Sequence, residues 1–272
     1  MFDLNSIEPA NTNWIPPKIV LYGPRGIGKT SFGTTFEDPI LFRAEDGAGA
    51  FDIPTFPEVA KHFNDIISAI ESLHGDHQYK TAIFDTLDWM EPLVWSHQIE
   101  QRPTDEKDNP VSNIEDYGWG KGFSFVDEWW RMIMGGLDSL RINKGMTILL
   151  IAHAEVKIYN SPTSDPYDRY QVKIHKRASE LWQEWSDMTL FVNFKTKIKK
   201  ADKKGFNQKT RGEGLGERII YTEERPAYIA KNRWDLPPEI YIGKDKTWSK
   251  FHECLSDATE GRYINPLKKG EK

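Results

Sequence analysis

Residues 18–30 read KIVLYGPRGIGKT, and this stretch carries the strongest indication of the fold in the chain. Its first five residues form a short apolar, β-branched run, which is typical of a buried strand that stops at a turn glycine. The turn at residues 23–30 matches the pattern G-x-x-x-x-G-K-[ST] in full, and a helix is expected from Lys29. A strand, a glycine-rich turn and a helix start in this order predict a P-loop.

The P-loop pattern assigns a nucleotide contact to each residue of the turn. Glycines let backbone N–H groups converge on a β-phosphate, and the start of the helix adds its dipole. Lys29 would reach the β- and γ-oxygens, while the Thr30 hydroxyl would ligate Mg²⁺. The expected ATP contacts are Gly23, Pro24, Arg25, Gly26, Ile27, Gly28, Lys29, Thr30 and Ser31.

Apolar strands alternate with amphipathic helices along most of the chain. Further strands are expected at residues 40–44, 81–84 and 146–152, and helices at 57–73 and 123–140. Thr55 and Glu58 would form the capping box of the first of these helices. Strands that are apolar throughout indicate a parallel sheet covered on both faces. After residue 178, a helix and strands at 188–194, 218–222 and 228–231 predict a mostly antiparallel C-terminal extension of this α/β fold.

Two carboxylates follow strands at the edge where a P-loop would lie. Asp85 ends the third strand and would hold Mg²⁺ through water, or else cap a helix that starts near Asp88. Residue 86 is Thr, so the catalytic Glu that directly follows this Asp in AAA+ ATPases is missing. Glu45, just past the second strand, is the candidate base. A solvent-exposed loop acid is the other interpretation of Glu45, and Asp46 is its rival.

His153 ends the strand ILLIA, so its imidazole is expected at the same edge of the sheet. There it would hydrogen-bond the γ-phosphate and report its loss to the following loop. The alternative is a strand-end histidine bonded to a local carbonyl. The catalytic candidates from the residues alone are thus Lys29, Glu45, Asp85 and His153.

The order of these features resembles the RecA-like ATPases. Within them the chain is most similar to the short RecA-like single-strand annealing proteins of bacteriophages. That likeness covers about residues 17–240 and rests on YGWGKGFS (117–124), SELWQEWSDMTLF (179–191) and YIAKNRWDLP (228–237). The resemblance implies a RecA-like core that hydrolyses ATP with Mg²⁺. It also implies a homo-oligomer with ATP sites between subunits, acting in phage DNA recombination in the host cytoplasm.

The resemblance gives a role to two late cations. Lys231 and Arg233 match a pair that reaches the γ-phosphate held by the neighbouring subunit. Without the family they are two cations on one face of a strand, which a solvated edge would also accommodate.

The resemblance also places DNA contacts in the segment after His153. The formal net charge is −5, but residues 157–211 carry thirteen Lys and Arg against six Asp and Glu. Cations there alternate with tyrosines, a combination expected for single strands bound without sequence readout. The expected DNA contacts are Arg169, Lys173, Lys176, Arg177 and, in a basic hairpin, Lys197, Lys199 and Lys200. A merely solvated charge run is the alternative.

Composition and segment boundaries complete the expectations. With 38% hydrophobic residues the chain of 272 residues can bury one core. A lone Cys254 and the lack of an apolar span favour a cytoplasmic protein without a membrane segment. We expect an N-terminal arm for oligomerisation at 1–17, a RecA-like ATPase domain at 18–245 that includes the basic hairpin 195–217, and a C-terminal helix and tail at 246–272.

The leading hypothesis is an ATP-dependent protein that binds and anneals single-stranded DNA, with a single-strand DNA binding protein as a further partner. A ring helicase or loader motor is a second hypothesis, and directional unwinding of a fork would reveal it. A nucleotide-dependent scaffold with little turnover is a third. A small-molecule kinase is least favoured, because no acceptor site is recognisable and Lys231 and Arg233 would have no role.

Overall fold

One sheet of nine strands organises the computed structural model, which describes residues 14–47, 49, 51–199, 211–244 and 247–268. At 196–199 and 211–215 only the backbone is described. The strands are β1 (Lys18–Gly23), β2 (Pro39–Arg43), β3 (Thr81–Asp85), β4 (Thr147–Tyr159), β5 (Tyr167–Val172), β6 (Met188–Lys199), β7 (Arg211–Tyr221), β8 (Lys231–Asn232) and β9 (Glu239–Gly243). The helices are α1 (Lys29–Gly33), α2 (Phe63–Ser72), α3 (Leu87–Gln101), α4 (Lys121–Phe125), α5 (Asp127–Asn143), α6 (Lys176–Trp185) and α7 (Ser249–Ala258), with short 3-10 turns at Ile114–Tyr117 and Pro266–Lys268.

The order of strands across the sheet is β2-β3-β4-β1-β6-β7-β9, with β5 paired to β4 and β8 to β6. The first five strands in this order are parallel, and β5, β7, β8 and β9 pair antiparallel with their neighbours. Gly23 lies opposite His153, and Arg43 lies opposite Asp85. The carboxyl ends of the parallel strands therefore meet at one edge, where ligands bind in such sheets.

Helices cover both faces of the sheet. Alternate residues of β1 enter different cores, with Tyr22 in one and Leu21 in the other. The first core takes side chains from α2, α3, α5 and α6, including the fully buried Trp130 and Trp182. The second takes Phe32 of α1 and Phe251 of α7. The predicted fold class is confirmed as an α/β core with a mostly parallel sheet, helices on both faces and an antiparallel C-terminal extension.

The predicted helix at residues 57–73 is wrong at its start, because α2 begins only at Phe63. Its capping box is made by His62 and Asp65, not by Thr55 and Glu58. Residues 54–60 instead run beside β2, where the Ala60 N–H donates to the Arg43 carbonyl at 2.9 Å. Backbone pairing with an edge strand thus replaces the first helical turns. The helix predicted at 123–140 is also divided, into α4 and α5.

Strand β4 is longer than the predicted 146–152 and continues to Tyr159. Its outer half pairs with β5 in a hairpin, from Ala154 opposite Val172 to Tyr159 opposite Tyr167. The proposed segment boundaries stay predictions. Residues 1–13 of the predicted arm and 200–210 of the predicted basic hairpin lie outside the described residues.

Candidate active site

The P-loop folds closely around its lysine. Gly23 packs against β6 so tightly that a Cβ at this position would lie 2.3 Å from the Val192 carbonyl oxygen, so only glycine fits. Gly28 has a φ of 107° and opens α1. Lys29 is buried, and its Nζ donates to the carbonyls of Gly23 and Pro24, each at 3.1 Å. The loop therefore holds the ammonium group inside its own turn.

Burial shifts the pKa values of two charged residues of the site. Burial lowers the pKa of Lys29, although the carboxylates of Asp85, Asp88 and Glu45 act to raise it. Burial likewise raises the pKa of Asp85, against the opposing bond from Thr30. A bound polyphosphate would offset the cost of the buried ammonium, and a cation would offset that of the carboxylate.

The two predicted metal ligands are in direct contact. The Thr30 hydroxyl donates to Asp85 Oδ2 at 2.6 Å. Hydroxyl and carboxylate oxygens are the donors that Mg²⁺ prefers, so this pair fits the ion. Asp85 does not cap α3, because residue 86 occupies the N-cap position. The capping alternative for Asp85 is therefore not what the structure shows.

A chain of polar contacts joins His153 to two carboxylates. Asp88 accepts from the His153 backbone N–H and lies 2.9 Å from Nδ1, while Nε2 lies 4.0 Å from Glu45 Oε1. A bond from Nδ1–H to Asp88 turns Nε2 towards Glu45 and the P-loop. Burial alone would raise the pKa of Asp88, but the bonds from His153 outweigh it and the pKa is lowered. His153 is thus bound to a carboxylate and not to a local carbonyl.

Sequence reasoning missed Asp88 as a site residue. Its only signal is the spacing in DTLD, where a second acid follows Asp85 by three positions at the start of α3. Of the rival bases, Glu45 is 26% exposed and lines the cavity, while Asp46 is 87% exposed and pairs with Arg43. Glu45 is therefore better placed than Asp46, and its role as base stays a prediction.

A cavity of about 260 Å³ lies at this edge of the sheet. Its lining is made by Gly26, Gly28, Lys29, Thr30, Ser31, Glu45, Phe51, Asp85 and His153. The cavity brings together all four catalytic candidates of the parallel sheet. Of the other predicted contacts, Ile27 points into the core and Arg25 is exposed.

Arg218 supports the P-loop from β7, and sequence reasoning missed it. This buried guanidinium donates from Nε to the Ile27 carbonyl at 2.7 Å and from NH1 to the Lys244 carbonyl at 3.0 Å. It also lies 5.1 Å from the centre of the Phe194 ring. Ile27 is 191 positions away in sequence, so no local pattern could have indicated this contact.

The two late cations lie away from their own P-loop. Strand β8 pairs with Met188 and Thr189 at the start of β6, which is the opposite edge of the parallel sheet from Gly23. Lys231 Nζ donates to the carbonyls of Gln183, Glu184 and Ser186 at 2.6, 3.1 and 2.7 Å, at the end of α6. Arg233 is half exposed and lies 3.3 Å from Asp187. Their predicted action on a neighbouring subunit stays a prediction.

The predicted DNA contacts differ in accessibility. Arg169 is buried, paired with Glu224 and stacked 4.9 Å from the Tyr159 ring, so its guanidinium is already engaged and we remove it from the set of DNA contacts. Lys173 is exposed, and Lys176 is 82% exposed. Arg177 is half exposed and bonds Asp127 at 2.6 Å. The side chains of Lys197 and Lys199, and all of residue Lys200, lie outside the described residues.

No helix in the described ranges is long and apolar enough to cross a membrane. No curated protein matches the sequence. Among solved structures, the RadB recombinase is 12% identical, with a TM-score of 0.42 over 85% of this chain and 90% of that one. At this level the likeness supports no statement about function.

Family comparison gives a firmer result. Residues 15–234 match the family described as "AAA domain", which covers most of the chain and includes every element of the site. Because residue 86 is Thr, the family match does not identify a catalytic base directly after Asp85. The chain belongs to the AAA domain family of P-loop ATPases.

Proposed function

We propose that the protein hydrolyses ATP and uses the nucleotide state to control binding and annealing of single-stranded DNA in phage recombination. It would act as a homo-oligomer with ATP sites between subunits. One observation carries the proposal: the backbone N–H of Lys173 donates to the carbonyl of His153 at 2.9 Å. The candidate γ-phosphate sensor is thus bonded to the backbone of an exposed lysine of the proposed DNA surface.

The chain's own groups suit the hydrolytic step. Lys29 neutralises phosphate charge as it develops, and bound Mg²⁺ on Thr30 and Asp85 would stabilise the same charge. Glu45 accepts a proton from the attacking water. Asp88 holds His153 in one orientation, so Nε2 can bond the γ-phosphate or report its loss.

A second contact links the same two regions. The His175 N–H donates to both oxygens of Glu91, at 2.8 and 3.1 Å, and Glu91 lies one turn after Asp88 in α3. Burial raises the pKa of Glu91 to about 7. The start of α6 is therefore attached to the helix that orients His153. A shift of that helix on loss of phosphate would move Lys173 and Lys176 together.

The surface beyond these contacts suits a single strand. A groove of about 390 Å³ runs between the β4–β5 hairpin and α6, and Lys157, Tyr159, Gln171 and Lys176 line it. Flexible cations can neutralise successive phosphates there, while ring faces accept bases. Arg169 also lines this groove, where its guanidinium packs on the Tyr159 ring and pairs with Glu224.

Binding of a fluorescent oligo(dT) strand, followed by anisotropy without nucleotide, with ADP and with a slowly hydrolysed ATP analogue, tests the proposal. We expect affinity to differ at least about fivefold between nucleotide states. Joint Lys173→Glu and Lys176→Glu changes should weaken binding and lower the salt slope by roughly one unit per lost phosphate contact. Lys250→Glu on α7 is the matched control. Lack of binding at low salt would refute the proposal.

Two other outcomes would replace it. Directional unwinding of a forked duplex would identify a helicase or loader motor. Nucleotide binding with no turnover would identify a scaffold.

A further inference from the structure

Trp119 is exposed to solvent at a turn position whose backbone conformation favours glycine. Its side chain is 99% exposed, whereas the other exposed large apolar residues, such as Ile158 at 69%, retain some cover. Its φ is +52°, between Gly118 at +71° and Gly120 at +69°. In the described part of the chain, the other non-glycine residues with positive φ are all acidic: Asp38, Asp108, Asp235 and Glu260. A bulky residue in this region of backbone space is an outlier.

Stability does not account for this tryptophan. An indole that is almost fully solvated buries no apolar surface, so it gains nothing from packing. Its positive φ adds a cost that glycine would avoid. Strain of this kind is found where the backbone presents a side chain for function.

Tertiary contacts hold the residues on both sides of Trp119, so the backbone that carries the indole is fixed. Before it, the Tyr117 hydroxyl donates to the Arg102 carbonyl at the end of α3 and lies 3.3 Å from the Gln98 carbonyl oxygen. After it, Gly122 packs so closely that a Cβ would lie 2.0 Å from the Ile114 carbonyl oxygen. Because the backbone on both sides of the indole is already fixed, only the side chain has to be ordered when it binds.

The same turn adjoins the proposed DNA surface. Phe123 lies four residues after Trp119, and its ring stacks on His175 at 3.7 Å with an angle of 6° between the planes. Four residues span at most about 14 Å, so Trp119 lies within about 14 Å of Phe123, which packs on the residue before α6. Lys176 and Arg177 follow His175 directly, and Lys173 precedes it by two positions.

Acids on this surface pair closely with two of its cations and leave Lys176 only weakly paired. Glu106 bonds Lys121, and Asp127 bonds Arg177, each at 2.6 Å. Asp116 accepts from the backbone N–H groups of Ser112 and Asn113. Lys176 faces only a loose contact of 3.7 Å with Glu180.

We propose that Trp119 stacks on a base of the single strand whose phosphates Lys173 and Lys176 bind. The inference rests on the proposed function and assigns it a residue that contributes through ring stacking and not through charge. Base–aromatic stacking tolerates any sequence, because every base has a π-face. It also gives a reason for an exposed ring beside cations.

Binding of oligo(dT) to wild type and to Trp119 variants, measured over a range of salt, tests this. Trp119→Ala should weaken affinity about tenfold with the salt slope unchanged, because no phosphate contact is lost. Trp119→Phe should restore most of the affinity, and Trp119→Leu should not. Trp119→Gly should lose as much affinity as Trp119→Ala while its melting temperature is equal to or above that of wild type. Ile142→Ala, which removes another exposed apolar side chain, should change nothing.

The outcomes separate this inference from the proposed function. If wild type binds no single strand, the proposed function fails and this inference fails with it. If wild type binds and Trp119→Ala binds equally well, only the inference is overturned. A change in oligomer mass by light scattering, without a change in DNA affinity, would assign Trp119 to contact with a second copy and would also overturn it.

Discussion

The P-loop edge of the sheet and its antiparallel C-terminal extension each hold a lysine by backbone carbonyls, but in different ways. Lys29 bonds the carbonyls of Gly23 and Pro24, six and five positions before it. Lys231 bonds carbonyls at the end of α6, 45 to 48 positions before it. The first arrangement follows from the P-loop motif alone, and the second depends on the tertiary fold. Lys29 lines the cavity of its own subunit, whereas Lys231 lies away from that cavity and would act on a neighbouring subunit.

The largest effect is expected at the P-loop edge. Lys29→Ala should lower steady-state phosphate release about 10²–10³-fold, because the ammonium group inside the turn is lost. Nucleotide binding should weaken as well, as followed with a fluorescent ATP analogue. Retention of more than about a tenth of wild-type turnover would contradict the P-loop role of Lys29.

The next effect separates binding from chemistry at the same edge. Glu45→Gln should lower turnover about 100-fold, because an amide cannot accept the proton, while ATP affinity stays near that of wild type. Asp46→Asn is the matched control, since this neighbouring acid is largely exposed. Equal loss in both variants would move the base elsewhere.

A mixing experiment tests whether the extension acts across an interface. Arg233→Ala should bind ATP but turn over little, and so should be nearly inactive alone, as is Lys29→Ala. An equal mixture should recover about a quarter of wild-type activity, because one interface in four joins an intact P-loop to an intact Arg233. If the mixture stays inactive while mixed oligomers are shown to form, the trans role of Lys231 and Arg233 is wrong.

The smallest effect concerns His252, which joins α7 to α1. Its Nε2 lies 2.8 Å from the Thr35 hydroxyl, which itself donates to the Phe32 carbonyl, and its Nδ1 lies 2.7 Å from the Tyr263 hydroxyl. Thr35 thus accepts from Nε2–H, and Nδ1 accepts from Tyr263. A second proton would remove that acceptor.

Burial lowers the pKa of His252 from 6.5 to about 3. The contribution of neutral His252 to stability is therefore full above about pH 6.5 and is lost as the pH falls towards 3. Between pH 7 and pH 5, wild type should lose about 2 kcal/mol more unfolding free energy than His252→Gln does. Urea unfolding at both pH values measures this, and an equal loss would contradict the buried, neutral state.

The P-loop edge could be predicted from sequence because a local sequence pattern marks each of its parts. The motif fixes Lys29 and Thr30, and apolar strand ends mark Asp85 and His153. The remaining features depend on distant partners. Asp88 becomes part of the site only when α3 meets β4, and Arg218 only when β7 meets the P-loop.

The failed predictions have the same origin. Arg169 looked like a DNA contact in a basic stretch, but Glu224 and the Tyr159 ring enclose it. Periodicity placed a helix from residue 57, but pairing beside β2 delays it to Phe63. In both cases a contact between segments outweighed the local pattern.

Under the proposed function, the nucleotide site responds to single-stranded DNA. The most direct test is the ATPase rate with and without saturating oligo(dT), with Lys29→Ala as background and a duplex of equal length as comparison. We expect at least about fivefold stimulation by the single strand, little by the duplex and none in the variant. A rate that is the same with and without the single strand, under conditions where the strand is bound, would contradict it.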